Sequence, residues 1–212
     1  MKNSISPALL FASLFASLFA TLSFGGELLS LEEVASIGKK TTDAFHHRLG
    51  TALREHKKEG AVAAAHFCVD SAGAVTEAFN SELGSGITLR RVSLKNRNPD
   101  NAAAVDEVPI LEALELLSKA NAYLPGHIVQ INDKGDYKYY RPITLSKSEC
   151  LACHGRPEGM KGELRSLFKE NYPNDKAVCY NQGDLRGAFV VEIRHNDASQ
   201  EIGNKTETKD QQ

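Results

Sequence analysis

Five residues near position 150 constrain this chain more than any other feature of its sequence. They read Cys150-Leu151-Ala152-Cys153-His154, the Cys-x-x-Cys-His pattern of a c-type haem attachment site. Two thiols at this spacing form thioether bonds to the two haem vinyl groups, and the adjacent histidine then binds the iron as one axial ligand. The motif predicts one covalently attached haem c, bound through Cys150, Cys153 and His154.

Other uses of a Cys-x-x-Cys pair fit this sequence less well. A zinc ribbon requires a second Cys or Cys/His pair, whereas Cys68 and Cys179 each stand alone. A thioredoxin-like dithiol follows a strand and begins a helix. Here Pro142 precedes the motif and Gly155-Arg156-Pro157 follows it, which indicates that the haem is held at a loop.

The N-terminus predicts export. Lys2 is the only charged residue before Glu27, and residues 7–24 are apolar or small. The apolar stretch ends at Ser23-Phe24-Gly25, a small-x-small cleavage pattern. Because the stretch is short for a membrane span, we expect residues 1–25 to be a signal peptide cleaved after Gly25. Export agrees with haem c attachment, which takes place outside the bacterial cytoplasm, and the predicted location is therefore the periplasm.

The remaining sequence predicts one domain. Residues 26–195 are sufficient for a sizeable core, and we expect them to form a single haem-binding domain. Residues 196–212 are polar and lack aromatics, which is typical of a disordered tail. The formal net charge is −2 and basic residues do not cluster, so nucleic-acid binding is not expected. No second membrane segment is predicted.

Local patterns predict helices first and strands later. Ser30 and Glu33 form a capping box for a helix reaching about Lys58. Further helices are predicted over residues 61–72, from a cap at Asp106, and over residues 162–171. Strands are predicted over residues 87–94, 126–131, 137–143 and 185–194, and alternation in the last strand indicates that only one of its faces is buried. This order predicts an α+β fold with an antiparallel sheet.

The second axial ligand is less strongly defined by the residues alone. Cys68 lies on an apolar helical stripe, far enough upstream to approach from a separate element, and we expect it to face the core. A plain core cysteine and a Cys68–Cys179 disulfide are the alternatives. Met160 follows His154 too closely to reach the opposite face of a haem, and His127 is an ordinary loop histidine in this interpretation.

Four stretches of the sequence resemble those of one known family. They are Ala64-Ala65-His66-Phe67-Cys68, Arg91-Val92-Ser93-Leu94-Lys95-Asn96-Arg97-Asn98-Pro99-Asp100-Asn101, Cys150-Leu151-Ala152-Cys153-His154-Gly155 and Gly183-Asp184-Leu185-Arg186-Gly187-Ala188. The chain is similar, over residues 30–195, to the exported single-haem c-type cytochromes with a PAS-like fold, first seen in a cyanobacterial protein.

The resemblance implies a PAS-like antiparallel sheet packed with N-terminal helices, and a haem held by His on one face and Cys on the other. In this sequence those ligands are His154 and Cys68. Cys179 is a departure, since the family pattern leads us to expect a Gly-like turn residue near it. Arg91, Lys95 and Arg97 are candidates for contacts with the haem propionates; together with Arg90, they also offer a cationic pocket.

Three functions follow from such a site. The first is low-potential electron transfer, because a thiolate ligand stabilises ferric iron and two filled axial positions exclude a substrate. The second is a redox sensor, or a sensor of NO or CO, in which Cys68 leaves the iron. The third is an enzyme that oxidises sulfur compounds, for which the cationic pocket would bind the anion. We expect a carrier rather than an enzyme, with a redox protein or a second copy of the chain as partner.

Overall fold

The computed structural model describes residues 28–195, which form helices on both sides of a four-stranded sheet. The helices are α1 (Leu31–Lys58), α2 (Ala61–Asp70), α3 (Ala72–Ser81), α4 (Val108–Lys119), α5 (Leu151–His154) and α6 (Gly162–Asn171). The strands are β1 (Ile87–Val92), β2 (Ile128–Ile131), β3 (Tyr137–Thr144) and β4 (Leu185–Ile193). The sheet order is β1-β4-β3-β2, and every pairing is antiparallel. The predicted α+β fold with an antiparallel sheet is confirmed.

The long helix α1 begins at the predicted capping box. The Ser30 hydroxyl accepts a hydrogen bond from the Glu33 amide at 3.2 Å, and the Glu33 carboxylate accepts one from the Ser30 amide at 2.8 Å. Val34 and Phe45 are buried on the side of α1 that packs on the sheet. The helix therefore fixes the N-terminal layer of the fold against β3 and β4.

Both faces of the sheet are covered, which corrects the expectation of a half-buried β4. Phe189, Val191 and Ile193 pack beneath α1 and α3 on one face. Ala188 and Val190 pack against Leu111 and Leu114 of α4 on the other face, and both are buried. Large apolar residues do alternate along β4, as predicted. The residues between them, Ala188 and Val190, are also apolar, and they pack against α4. The sheet is the middle of three layers.

Two predicted helix boundaries differ from the structure. The second predicted helix is interrupted at Ser71, so that α2 and α3 are separate helices. Asp106 does not cap α4, because its carboxylate pairs with Lys138 at 2.8 Å instead. The residue before α4 is Glu107, whose buried carboxylate accepts a hydrogen bond from the Ala104 amide at 2.7 Å.

Within residues 28–195, no helix is both long enough and apolar enough to cross a membrane. The predicted signal peptide at residues 1–25 and the predicted tail at residues 196–212 lie outside the described residues.

Candidate functional site

The Cys-x-x-Cys-His motif forms a helical turn rather than the loop expected from its flanking residues. A 3-10 turn over Ser148–Cys150 runs directly into α5, which ends at His154. Gly155 follows, and its amide donates to the Leu151 carbonyl at 2.9 Å. A Cβ atom at position 155 would lie 2.5 Å from that same carbonyl oxygen, so the tight end of the turn requires glycine. The helical turn holds both cysteines and the histidine on one short rigid element.

The imidazole of His154 is oriented by a backbone carbonyl. Its Nδ1 lies 2.9 Å from the carbonyl oxygen of Ala177. Because a carbonyl only accepts hydrogen bonds, Nδ1 carries the proton and Nε2 keeps a free lone pair. A hydrogen bond of this kind from the other ring nitrogen is typical of metal-ligating histidines.

The segment that orients His154 is itself attached to the motif. The Tyr180 amide donates to the His154 carbonyl and the Cys179 amide donates to the Gly155 carbonyl, each at 3.0 Å. The ring of Tyr180 stands perpendicular to the imidazole, with 6.2 Å between ring centroids. The motif and residues 177–180 therefore form one hydrogen-bonded unit.

The surroundings keep the His154 imidazole neutral. Burial and the nearby guanidinium groups of Arg186 and Arg97 together lower its pKa to about 3, although the hydrogen bond to the Ala177 carbonyl acts in the opposite direction. The ring is consequently unprotonated at neutral pH, which is the form that binds a metal.

The two motif cysteines face different apolar groups. Cys150 packs beside Leu145, Ala177 and Tyr180, whereas Cys153 packs beside a cluster that includes Met160 and Phe168. Both are free thiols, and burial raises the pKa of Cys153. Met160 is a buried core residue that packs with Leu164 and Phe168.

The Cys68 side chain is exposed, rather than buried in the core as its apolar stripe indicated. The buried residues of this helix are Ala64, Ala65 and Phe67. The large ring of Phe67 stacks on His56, with 4.6 Å between ring centroids, and occupies the inward position instead. The Cys68 side chain retains solvent contact, yet the surrounding protein atoms desolvate it sufficiently to raise the pKa of its thiol.

Cys68 nevertheless lies on the helix that packs against the attachment site, because Ala65 and Val69 of α2 belong to the same apolar cluster as Cys153. Its thiol is close enough to Cys153, Arg91 and Arg97 for their charges to affect its pKa. The alternative Cys68–Cys179 disulfide is absent, because both thiols are free. Cys179 has a φ of +62°, a left-handed conformation that favours glycine, so the expectation of a Gly-like turn at this position is consistent with the backbone.

Arg97 and Lys95 connect the segment after β1 to the motif and to residues 175–178 through hydrogen bonds. The Nε of Arg97 donates to Asp175 at 2.8 Å, and its Nη2 donates to the Cys153 carbonyl at 2.7 Å. Its guanidinium stacks on Phe168, 3.6 Å from the ring centroid. The Nζ of Lys95 donates to the Val178 carbonyl at 2.8 Å. Their predicted propionate contacts remain predictions, while the structure gives each of them an internal partner.

Arg186 belongs to the site although the sequence analysis did not select it. Its Nη1 donates to the Ser93 hydroxyl at 2.8 Å and to the Lys95 carbonyl at 3.0 Å. The signal available was its place in the fourth family-like stretch, residues 183–188. Arg90, by contrast, lies on the opposite face of β1 and pairs with the buried carboxylate of Glu107 at 3.3 Å. The cationic group at the site therefore consists of Arg91, Lys95, Arg97 and Arg186, and, contrary to expectation, it does not include Arg90.

Arg91 has no partner that satisfies all of its donors. Its Nε is buried and makes no hydrogen bond within residues 28–195. Its Nη2 donates only weakly, at 3.4 Å, to the carbonyl of Ala72, which begins α3 and lies four residues after Cys68. Burial lowers the pKa of this guanidinium. A half-buried cation with one buried, unused donor is the kind of group that an anionic ligand would satisfy.

Fold and site together define an α+β domain in which an antiparallel sheet supports a Cys-x-x-Cys-His turn surrounded by arginines. Within that class, the chain belongs to the Tll0287-like family, whose model matches residues 28–194. The family predicted from the four sequence stretches is thereby confirmed.

One solved structure shows the same fold. It is described as the cyanobacterial heme-protein Tll0287, and it aligns with a TM-score of 0.53 and 22% sequence identity, covering 78% of this chain and 97% of that chain. At this identity the likeness establishes the fold. A search of curated proteins gave no match.

Proposed function

We propose that this protein is an exported monohaem c-type cytochrome that transfers electrons at low potential. Cys150 and Cys153 would hold the haem through thioether bonds, and His154 and Cys68 would be the ligands of its iron. The observation that supports this best is the hydrogen bond from His154 Nδ1 to the Ala177 carbonyl, because it leaves Nε2 unprotonated beside the two thiols.

The residues at the site fit a haem in three further ways. Two free thiols lie on the same helical turn as the histidine. A separate helix, α2, presents a third thiol to that turn. Arg91 has a buried donor without a partner, which suits a group that brings negative charge. The structurally similar protein named above is described as a heme-protein, which supports the same cofactor class here.

Electron transfer is the function that such a ligand set favours. The bound haem would supply an iron centre that gains and loses one electron. A thiolate from Cys68 donates negative charge and so favours the oxidised form, which gives a low potential. With both His154 and Cys68 bound to it, the iron would have no open position for a substrate. Ala177 fixes the orientation of His154, and Arg97 fixes the turn that holds Cys153, so the histidine ligand and its turn would keep their positions during electron transfer.

The cellular context follows from the proposed cofactor. The proposed covalent haem attachment and the signal-peptide pattern at residues 1–25 both support a periplasmic location. A redox protein in that compartment would deliver or accept the electron. The sulfur-oxidation alternative would have to bind its anion with Arg91, Lys95, Arg97 and Arg186, because Arg90 pairs with Glu107 on the opposite face of β1.

The experiment is an optical and EPR titration of the purified holoprotein, with and without CO, comparing wild type with C68S and with C179S as the matched cysteine control. We expect a six-coordinate low-spin ferric haem with thiolate signals in wild type and C179S, and loss of those signals in C68S. A ferric spectrum of C68S identical to that of wild type would exclude Cys68 as a ligand. CO binding after reduction, with loss of the thiolate, would assign the protein as a sensor instead.

A further inference from the structure

We propose that Arg91 is the charge partner of the Cys68 thiolate and sets the potential of the site by hydrogen bonding to the sulfur when it binds iron. This inference rests on the proposed function, because it concerns the same axial ligand. It assigns Arg91 to the axial sulfur rather than to a propionate.

The position of Arg91 in the fold directs it towards Cys68. Side chains alternate along β1, so Arg91 shares the face of Leu89, which packs under α1 and α3, while Arg90 lies on the face of α4. From there the guanidinium reaches the Ala72 carbonyl, at the residue that begins α3 and lies four positions after Cys68. Because α2 ends at Asp70, Arg91 contacts the chain just after the helix that carries Cys68, and the mutual charge effect of Arg91 and Cys68 agrees with this proximity.

No carboxylate competes for this guanidinium. Arg91 forms no ion pair with an acidic residue among residues 28–195, although its neighbours Arg90 and Arg97 each do. The other ionisable groups that influence Arg91 are Arg186, which repels it, and Tyr172, which is neutral at pH 7. The Cys68 sulfur is therefore the anionic group that Arg91 can pair with, and the unsatisfied Nε supplies the donor.

The chemical consequence has a defined direction. A donor hydrogen bond to a ligating thiolate withdraws charge from the sulfur and reduces its donation to iron. A nearby positive charge also disfavours the ferric form relative to the ferrous form. Both effects raise the potential, so removal of Arg91 should lower it.

The test compares the holoproteins of wild type, R91Q, R91K and R90Q by potentiometric titration, ferric EPR and the sulfur-to-iron charge-transfer band. R90Q is the matched control, since it removes the same charge from the adjacent residue on the opposite face of the strand. We expect R91Q to shift the ferric/ferrous equilibrium towards ferric by about tenfold, which is about 59 mV for a one-electron couple. The sulfur band and EPR signal of R91Q should shift as well, with R91K intermediate and R90Q close to wild type.

Two results would overturn the assignment of Arg91. One is a potential that falls in R91Q while the sulfur band and EPR signal stay unchanged, which would assign Arg91 to a propionate. The other is an equal shift in R90Q, which would show a general effect of net charge. If R91Q does not fold, unchanged sulfur signals in R91K overturn the inference. A wild-type protein without covalent haem would instead refute the proposed function, and mass spectrometry of the same samples identifies that case.

Discussion

Arg97 illustrates at the residue scale how a side chain outside the motif holds the motif in place. It joins Asp175 and the Cys153 carbonyl while its flat guanidinium covers the ring of Phe168. The side chains of Arg97 and Asp175 are only 10% and 13% exposed. Breaking a pair that is this well buried leaves a charge without a partner in a poorly hydrated environment.

We predict that R97Q lowers the free energy of unfolding by about 3–5 kcal/mol, the range for loss of one partner of a buried pair. The control is R48Q. Arg48 forms a bidentate ion pair with Glu82, and the two side chains are 41% and 58% exposed. Loss of this exposed ion pair should leave the free energy of unfolding nearly unchanged. Urea unfolding of both variants measures the difference, and equal effects would contradict a special role for Arg97.

Cys68 shows what residue-level reasoning finds and what it misses. The helical spacing identified the cysteine as a residue able to approach from a separate element. The same spacing placed it in the core, because periodicity does not say which side of an apolar helix the partner elements cover. The ring of Phe67 settles that choice by packing against His56 on α1, a contact between separate helices that sequence spacing does not report.

At the element scale, the packing of α1 on the sheet depends on one glycine. Gly38 faces the ring of Tyr139 on β3, and a Cβ atom at position 38 would lie 2.2 Å from a ring carbon. Gly50 lies in the same helix, but its nearest neighbour would be the flexible end of Arg54 at 3.4 Å. The two glycines therefore respond differently to the same substitution.

We predict that G38A destabilises the protein by about 1–3 kcal/mol, because the added methyl group forces α1 away from β3. G50A should stabilise it by about 0.5–1 kcal/mol, since alanine favours a helix interior where nothing obstructs it. Thermal and urea unfolding provide the comparison. Stabilisation by both substitutions would show that α1 does not approach the sheet as closely as described.

A second link between α1 and β3 is electrostatic. Lys39 and Arg141 both donate to the Asp43 carboxylate, and these hydrogen bonds lower the pKa of Asp43 from its ordinary 3.8 to about 2. A carboxyl whose pKa is lower in the folded protein stabilises the fold above its ordinary pKa. That contribution is lost as the pH falls towards the folded value.

We therefore predict that the free energy of unfolding is higher for wild type than for D43N, by an amount that is constant near neutral pH. This difference in free energy should become smaller as the pH falls from about 4 to about 2. Other acid-sensitive groups cancel in this comparison, because the two proteins differ only at the carboxylate. Urea unfolding across this pH range measures the difference. A difference that is independent of pH would show that Asp43 does not form these contacts in solution.

Element boundaries were predictable where a local signal defines them. The capping box gave the start of α1, and helix α6 and strands β1–β4 lie close to their predicted ranges. The predictions that were wrong concern features that depend on a residue distant in sequence. Lys138 takes the carboxylate expected to cap α4, and α4 covers the second face of β4 from more than 65 residues upstream.

At the scale of the whole molecule, the candidate site is assembled from four separated parts of the chain. These are α2, the segment from Arg91 to Arg97, the motif turn, and residues 172–186. The motif was evident in the sequence, because its chemistry depends on spacing within five residues. The contributions of Asp175, Ala177 and Arg186 were not, since they depend on backbone carbonyls and on the way a loop returns to the motif.

Intact-mass spectrometry of denatured protein, exported from a host able to attach haem c, tests the account most directly. We predict a polypeptide beginning at Gly26 whose mass exceeds that of the bare chain by one haem, and whose red colour survives denaturation. The double variant C150S/C153S should lose both the added mass and the colour. A wild-type mass equal to that of the polypeptide alone would contradict the account.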